Sequence, residues 1–118
     1  AGWPSTLAAS TVIGAAFDAW MVVPGWKIGA KENPRVTLAD VIRHIDHICQ
    51  LAGNTRHVAI GSDLDGGFGT EQSPEDLDTI ADLQKLGPLL RQRGYSDNDL
   101  QAIFHGNWLR LFERAWKA

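Results

Sequence analysis

The sequence has a single cysteine, Cys49, which leaves no partner for a disulfide within the chain. It sits inside a helical pattern, so a small buried side chain is the expectation rather than a nucleophile. The chain has no excess of basic residues. Its net charge is -3, with acids and bases interspersed, which excludes the basic stripe that holds a nucleic-acid backbone. No long hydrophobic run occurs either. The most apolar stretch, Val12 to Trp26, is broken by Asp18 and Pro24 and falls short of the ~20 residues of a membrane-spanning helix. No basic segment followed by an apolar one opens the chain as an export signal would. The compartment is left open, with a soluble cytoplasmic location the first expectation.

The 118 residues, 44% of them hydrophobic and 21% charged, have the composition of one ordinary folded unit. Val12 to Phe17 (VIGAAF) is a short apolar run without helical period, which suits a strand buried on both faces. A breaker-rich stretch carrying Trp20 and Trp26 follows, through Pro24-Gly25 to Asn33-Pro34, and reads as a long loop. The two tryptophans are expected in packing or at a pocket mouth. Thr37 and Asp40 then form a capping box. Leu38, Val41, Ile42, Ile45, Ile48 and Leu51 recur at helical spacing, and Gly53 supplies the stop. His57 to Ile60 (HVAI) is a second buried strand. Strand, loop, helix and strand in this order make a parallel α/β unit.

Beyond the glycine-rich segment Gly61 to Gly69, Ser73-Pro74-Glu75 predicts a helix to about Leu83. Gly87-Pro88 interrupts before a short helix closed by Gly94, and Ser96 opens another. Gly106-Asn107 restarts a final helix to about Trp116, with Trp108, Leu109, Leu111 and Phe112 on or near its buried face.

Chemistry is concentrated in Ala59 to Gly69 (AIGSDLDGGFG), where an apolar strand delivers two carboxylates into a glycine-rich turn. A phosphate loop needs lysine where Gly67 stands. A dinucleotide fingerprint needs different glycine spacing and an immediate helix. An EF-hand needs a ligand at Gly67, glycine at Phe68 and glutamate at Pro74. There remains the rule that α/β proteins work at the carboxyl ends of parallel strands. Asp63 stands there, where a carboxylate either orients and deprotonates a metal-bound water or simply caps a turn. Asp40, His44 and His47 fall on one helix face at i, i+4 and i+7, a spacing compatible with metal ligation, although a solvated face is the commoner outcome. His57 starts a strand, and His105 is expected at a helix end where a cation suits the dipole.

The run His44-Ile45-Asp46-His47-Ile48, then Ala52-Gly53 and His57 to Gly66, resembles the last barrel unit of the renal (membrane) dipeptidase family of metallopeptidases. Leu89-Leu90, Arg93 to Ser96 and Gly106 to Arg110 resemble that family's C-terminal helices, and Val12 to Phe17 its preceding strand. The resemblance implies a (β/α)8 TIM barrel holding two zinc ions and hydrolysing dipeptides. It implies that Asp63 is the last-strand aspartate at the bridging water, and that Asp65, Gly66 and Gly67 border the substrate.

A complete barrel of this kind takes roughly 200 residues or more. Residues 1–118 are therefore expected to form a single partial domain of the α/β class, about two parallel strands with four or five helices. The family's zinc ligands, a His-x-Asp pair, a glutamate and two histidines, would lie upstream, as would the arginine that binds the substrate carboxylate, so no metal ligand is assigned in this chain. Two expectations stand side by side. One is a piece of a zinc dipeptidase whose missing barrel portion completes the site. The other is a non-catalytic α/β module that associates with itself or with a partner chain, since two strands leave open edges.

Overall fold

The computed structural model describes residues 11–64 and 69–117. Strand β1 (Ile13–Ala15) pairs in parallel with β2 (Val58–Ile60), in the register Ile13 to Val58, Gly14 to Ala59 and Ala15 to Ile60. The pairing continues past both strand ends through Ile13 N–H to His57 O (2.8 Å), Gly61 N–H to Ala15 O (3.1 Å) and Phe17 N–H to Ser62 O (3.1 Å). Between the strands come a single helical turn, α1 (Ala19–Val22), and the crossover helix α2 (Leu38–Ala52).

Helix α2 forms where its caps and its apolar period coincide. Asp40 Oδ2 accepts the Thr37 N–H at 2.8 Å, and Gly53, at φ 75°, takes the left-handed conformation that ends the helix with its N–H on Cys49 O. Leu38, Val41, Ile42, Ile45 and Cys49 face inward and meet Phe17, Val58, Leu86, Leu90 and Ile103 in one core. Leu51 departs from the expected stripe. It lies on the last turn and is exposed, with Ile48 half-buried beside the core.

The helix predicted over 73–83 does not form. Its backbone is engaged elsewhere: Glu75 N–H donates to Val36 O (2.8 Å), and Asp76 Oδ1 accepts the N–H of Leu38 at 2.8 Å. Ser73, expected to cap a helix, instead donates its hydroxyl to Thr70 O and Leu77 O. These tertiary bonds dock the segment on the start of α2, and a tight 3-10 stretch begins only at Ile80–Lys85. It passes without a break into α3 (Leu86–Gln92), so Gly87-Pro88 lies inside the helical run. Pro88 lies at the change of pitch from the 3-10 stretch to α-helix, where its missing N–H interrupts the bonding pattern.

Gly94 (φ 96°) closes α3, and the Ser96–Asp99 capping box opens α4 (Asp97–Gln101). Helix α4 does not stop at Gly106. A wide π-turn, Ala102–Gly106, carries it into α5 (Asn107–Lys117). His105 therefore sits mid-run rather than at a helix end. On α5, Asn107 is buried and Trp108 and Leu111 are half-buried, whereas Leu109 and Phe112 lie exposed, contrary to the predicted face.

Candidate functional site at the strand carboxyl ends

The two strands deliver different groups to their carboxyl end. Beyond β2 come Gly61, Ser62 and Asp63, and beyond β1 come Phe17 and Asp18. The strands run very close here: a Cβ on Gly61 would lie 2.9 Å from the Gly14 Cα, and one on Gly14 would lie 3.2 Å from the Trp108 ring. A side chain at 61 would force the strands apart, and one at 14 would need its neighbours to give by a few tenths of an ångström.

Asp63 is exposed and has φ 58°, the one non-glycine residue with positive φ among those described. Aspartate enters this left-handed region more readily than most residues, yet the conformation still costs stability and is often found where function over-determines the backbone. A cavity of about 500 Å³ opens beside its neighbours, lined by Ser62 and Leu64 on the strand side and by Gly69, Thr70 and Ser73 on the other; Asp63 itself does not line it. Asp65, Gly66 and Gly67, expected to border a substrate, lie outside the described residues.

Asp18 was overlooked in the sequence except as a break in an apolar run, although the rule that singles out Asp63 applies to it equally. It is 6% exposed, and Gln72 Nε2 donates to its Oδ1 at 3.3 Å and to its Oδ2 at 3.4 Å.

On the helix face considered for metal binding, Asp40 and His44 are engaged otherwise, and His47 is exposed. Asp40 caps α2 and pairs with Arg43. The His44 Nε2 lies 2.8 Å from Val22 O. Among the described residues, no group of three or more His, Cys, Asp or Glu is placed to hold a metal ion. The described residues thus do not by themselves assemble a zinc centre. Trp20 is exposed and Trp26 packs against the core, and neither lines the cavity beside Asp63.

The outer edge of β2 is tied down along its length. Asn107 Nδ2 donates to Thr55 O and Val58 O, both at 2.7 Å, and Trp108 Nε1 donates to Ile60 O at 2.9 Å. The Val58 and Ile60 carbonyls face away from β1, so these side chains satisfy the outer edge of β2 in place of another strand. His57, buried at the strand start, has Nδ1 2.9 Å from Thr11 O. Nearby, Tyr95 donates its hydroxyl to Asp46 at 2.5 Å, and burial together with that carboxylate raises the Tyr95 phenol well above its ordinary range. Burial likewise pushes the Cys49 thiol up, as befits an inert packed side chain.

Comparison with known proteins places this arrangement. The sequence pattern of the membrane dipeptidases, peptidase family M19, matches residues 6–118. The chain belongs to the membrane dipeptidase family. It is 39% identical over 75 residues to dipeptidase aclJ of Aspergillus oryzae, covering 64% of this chain and 17% of that protein. With human dipeptidase 3 it shares 31% over 85 residues, which is 72% of this chain and 17% of the relative. An uncharacterised Klebsiella pneumoniae protein encoded in the pqqA 5′ region is 36% identical over 80 residues, 68% of this chain and 28% of its own length.

Two solved structures agree. Dipeptidase AC, a family M19 metallopeptidase, superposes with a TM-score of 0.74 at 28% identity, over 92% of this chain and 30% of that one. A metallopeptidase from Rhodobacter sphaeroides, liganded with a phosphinate mimic of the dipeptide L-Ala-D-Ala, gives a TM-score of 0.70 at 26% identity, over 90% and 28%. The α/β barrel-segment fold expected from the sequence is borne out. The chain spans less than a third of the length of these relatives. No helix among the described residues is long and apolar enough to cross a membrane.

Proposed function

We propose that this membrane dipeptidase-family segment forms one wall of a dipeptide-hydrolysing site, with Asp63 as the group that holds and deprotonates the attacking water. The observation that carries this is the placement of Asp63: an exposed carboxylate in left-handed backbone at the carboxyl end of a parallel strand, beside a cavity. In the hydrolysis, the water oxygen forms a bond to the peptide carbonyl carbon and one water proton passes to Asp63. As the C–N bond breaks, that proton is delivered to the leaving amine. Asp65, Gly66 and Gly67 are assigned to the substrate border by the family resemblance. By the family resemblance, the zinc ions would take their ligands from a His-x-Asp pair, a glutamate and two histidines outside this segment. Residues 1–118 then act as a single partial domain within a larger barrel.

A second reading is favoured by the exposed apolar side chains of α5, Leu109, Phe112 and Trp116. In that reading the chain is a non-catalytic module that associates with itself or with a partner.

The test is zinc content together with zinc-dependent hydrolysis of a dipeptide panel by the purified protein, with Asp63→Asn as control. Stoichiometric zinc and turnover that the substitution lowers by about a hundredfold or more support the hydrolytic reading. Absence of both zinc and turnover, in a species larger than a monomer, supports the module.

A further inference from the structure

Asp18 is a buried carboxylate for which the hydrolytic step has no use. It follows Phe17 at the exit of β1 and immediately precedes α1, to which it gives no side-chain cap. Burying a carboxylate is unfavourable unless something hydrogen-bonds it. The bonds at its side chain come from Gln72 Nε2, forked across both oxygens at 3.3 and 3.4 Å. Gln72 ends the 3-10 turn Thr70–Gln72, in which its N–H donates to Gly69 O at 3.1 Å. One residue before Asp18, the Phe17 N–H holds Ser62 O at 3.1 Å. Two consecutive residues thus grip two separate places, the strand exit just before Asp63 and the turn across the cavity from it. Ser62 and Leu64 line that cavity on one side, Gly69 and Thr70 on the other.

We propose that Asp18 is a positioning residue for hydrolysis: through Gln72 it sets the spacing between the Asp63 strand exit and the facing 70–72 turn. This rests on the hydrolytic reading of the site. Asparagine keeps an oxygen that accepts from Gln72, whereas alanine does not, so the two substitutions separate the contact from the charge.

The experiment compares D18N, D18A, Q72A and the D18A/Q72A double variant of the full chain, in the assembly that shows turnover, by dipeptide kinetics and by amide hydrogen exchange at Gln72 and Ser73. The expected result is that D18A and Q72A each raise KM about tenfold with little change in kcat, that the double variant is no worse than either alone, and that D18N stays within about twofold. Exchange at the two amides should be faster by about tenfold in D18A and Q72A and near the parent value in D18N. KM effects that multiply in the double variant would overturn the proposal, because Asp18 would then act other than through Gln72. Unchanged exchange in Q72A would overturn it as well, and this arm remains readable where loss of Asp18 prevents folding. Faster exchange in a protein whose parent turns over no dipeptide upholds the contact and removes only the hydrolytic reading beneath it.

Discussion

The two ends of the parallel strand pair are built on opposite plans. At the amino end the backbone is tied down: Asn107 supplies donors to Thr55 and Val58, and Arg110 reaches the Arg56 carbonyl. At the carboxyl end the chain opens into a cavity, places Asp63 in left-handed backbone and holds Asp18 by one amide at long range. Stabilising contacts and the proposed chemistry lie three or four residues apart on each strand, as barrel enzymes in general separate them between their two faces.

The largest effect that would break or sharpen this contrast is at Asn107. Replacing it by alanine strands two carbonyls and opens a small void, and should lower stability by about 2–5 kcal/mol. Urea denaturation measures this, and a loss under 1 kcal/mol would deny the amino end its stabilising role. Gly61→Ala forces a Cβ against the Gly14 backbone and should cost about 1–3 kcal/mol, since the carboxyl end still needs the close strand approach that shapes it. Tyr95→Phe removes the bond to Asp46 and is expected to cost about 1–2 kcal/mol.

Asp63→Gly should do the reverse of these. It relieves the left-handed backbone and raises stability by about 0.5–1 kcal/mol while abolishing any hydrolysis. A stability loss there would mean that the carboxylate serves the fold.

The smallest effects are those of pH. The Tyr95 phenol is raised in the folded protein, so its contribution is fully present below the unfolded value of about 10 and is lost as pH rises beyond it. Backbone N–H donation from Ser96 lowers the Asp99 carboxyl. Its contribution is therefore present above the ordinary aspartate range and is lost as pH falls through the folded value. Thermal melts across pH, with Tyr95→Phe flattening the alkaline limb, check both signs.

The sequence reading succeeded where local and tertiary signals agree. Helix α2 has its capping box, its apolar period and Gly53 all in the same frame, and the two strands are short apolar runs too brief for a buried helix. It failed where tertiary bonds outweigh local preference. Ser73-Pro74-Glu75 is a plausible helix start, but the backbone N–H of Glu75 and the carboxylate of Asp76 are drawn to the beginning of α2. The position of Asp63 after a strand was legible, while its role in hydrolysis is proposed. Asp18 carried the same signal and was hidden because it interrupts what looked like one continuous apolar stretch. The starts of α3 and α5 were read from glycine and proline as punctuation, whereas the chain runs through both as helix with a change of pitch.

The π-turn at Ala102–Gly106 has a consequence for how this protein tolerates change in length. Adding one residue to an α-helix swings everything after it round by about 100°, yet a wide turn absorbs the extra residue in place and lets the helix resume. Asn107 and Trp108 follow directly, and their amides meet particular carbonyls of β2. Deleting one residue from 102–106 would close the wide turn into plain α-helix with those donors still near their acceptors, whereas a deletion from plain α-helix, with no wide turn to absorb it, would swing them away. The wide turn thus acts as a phase buffer: it takes up one residue of length while the same side of the last helix stays on the sheet.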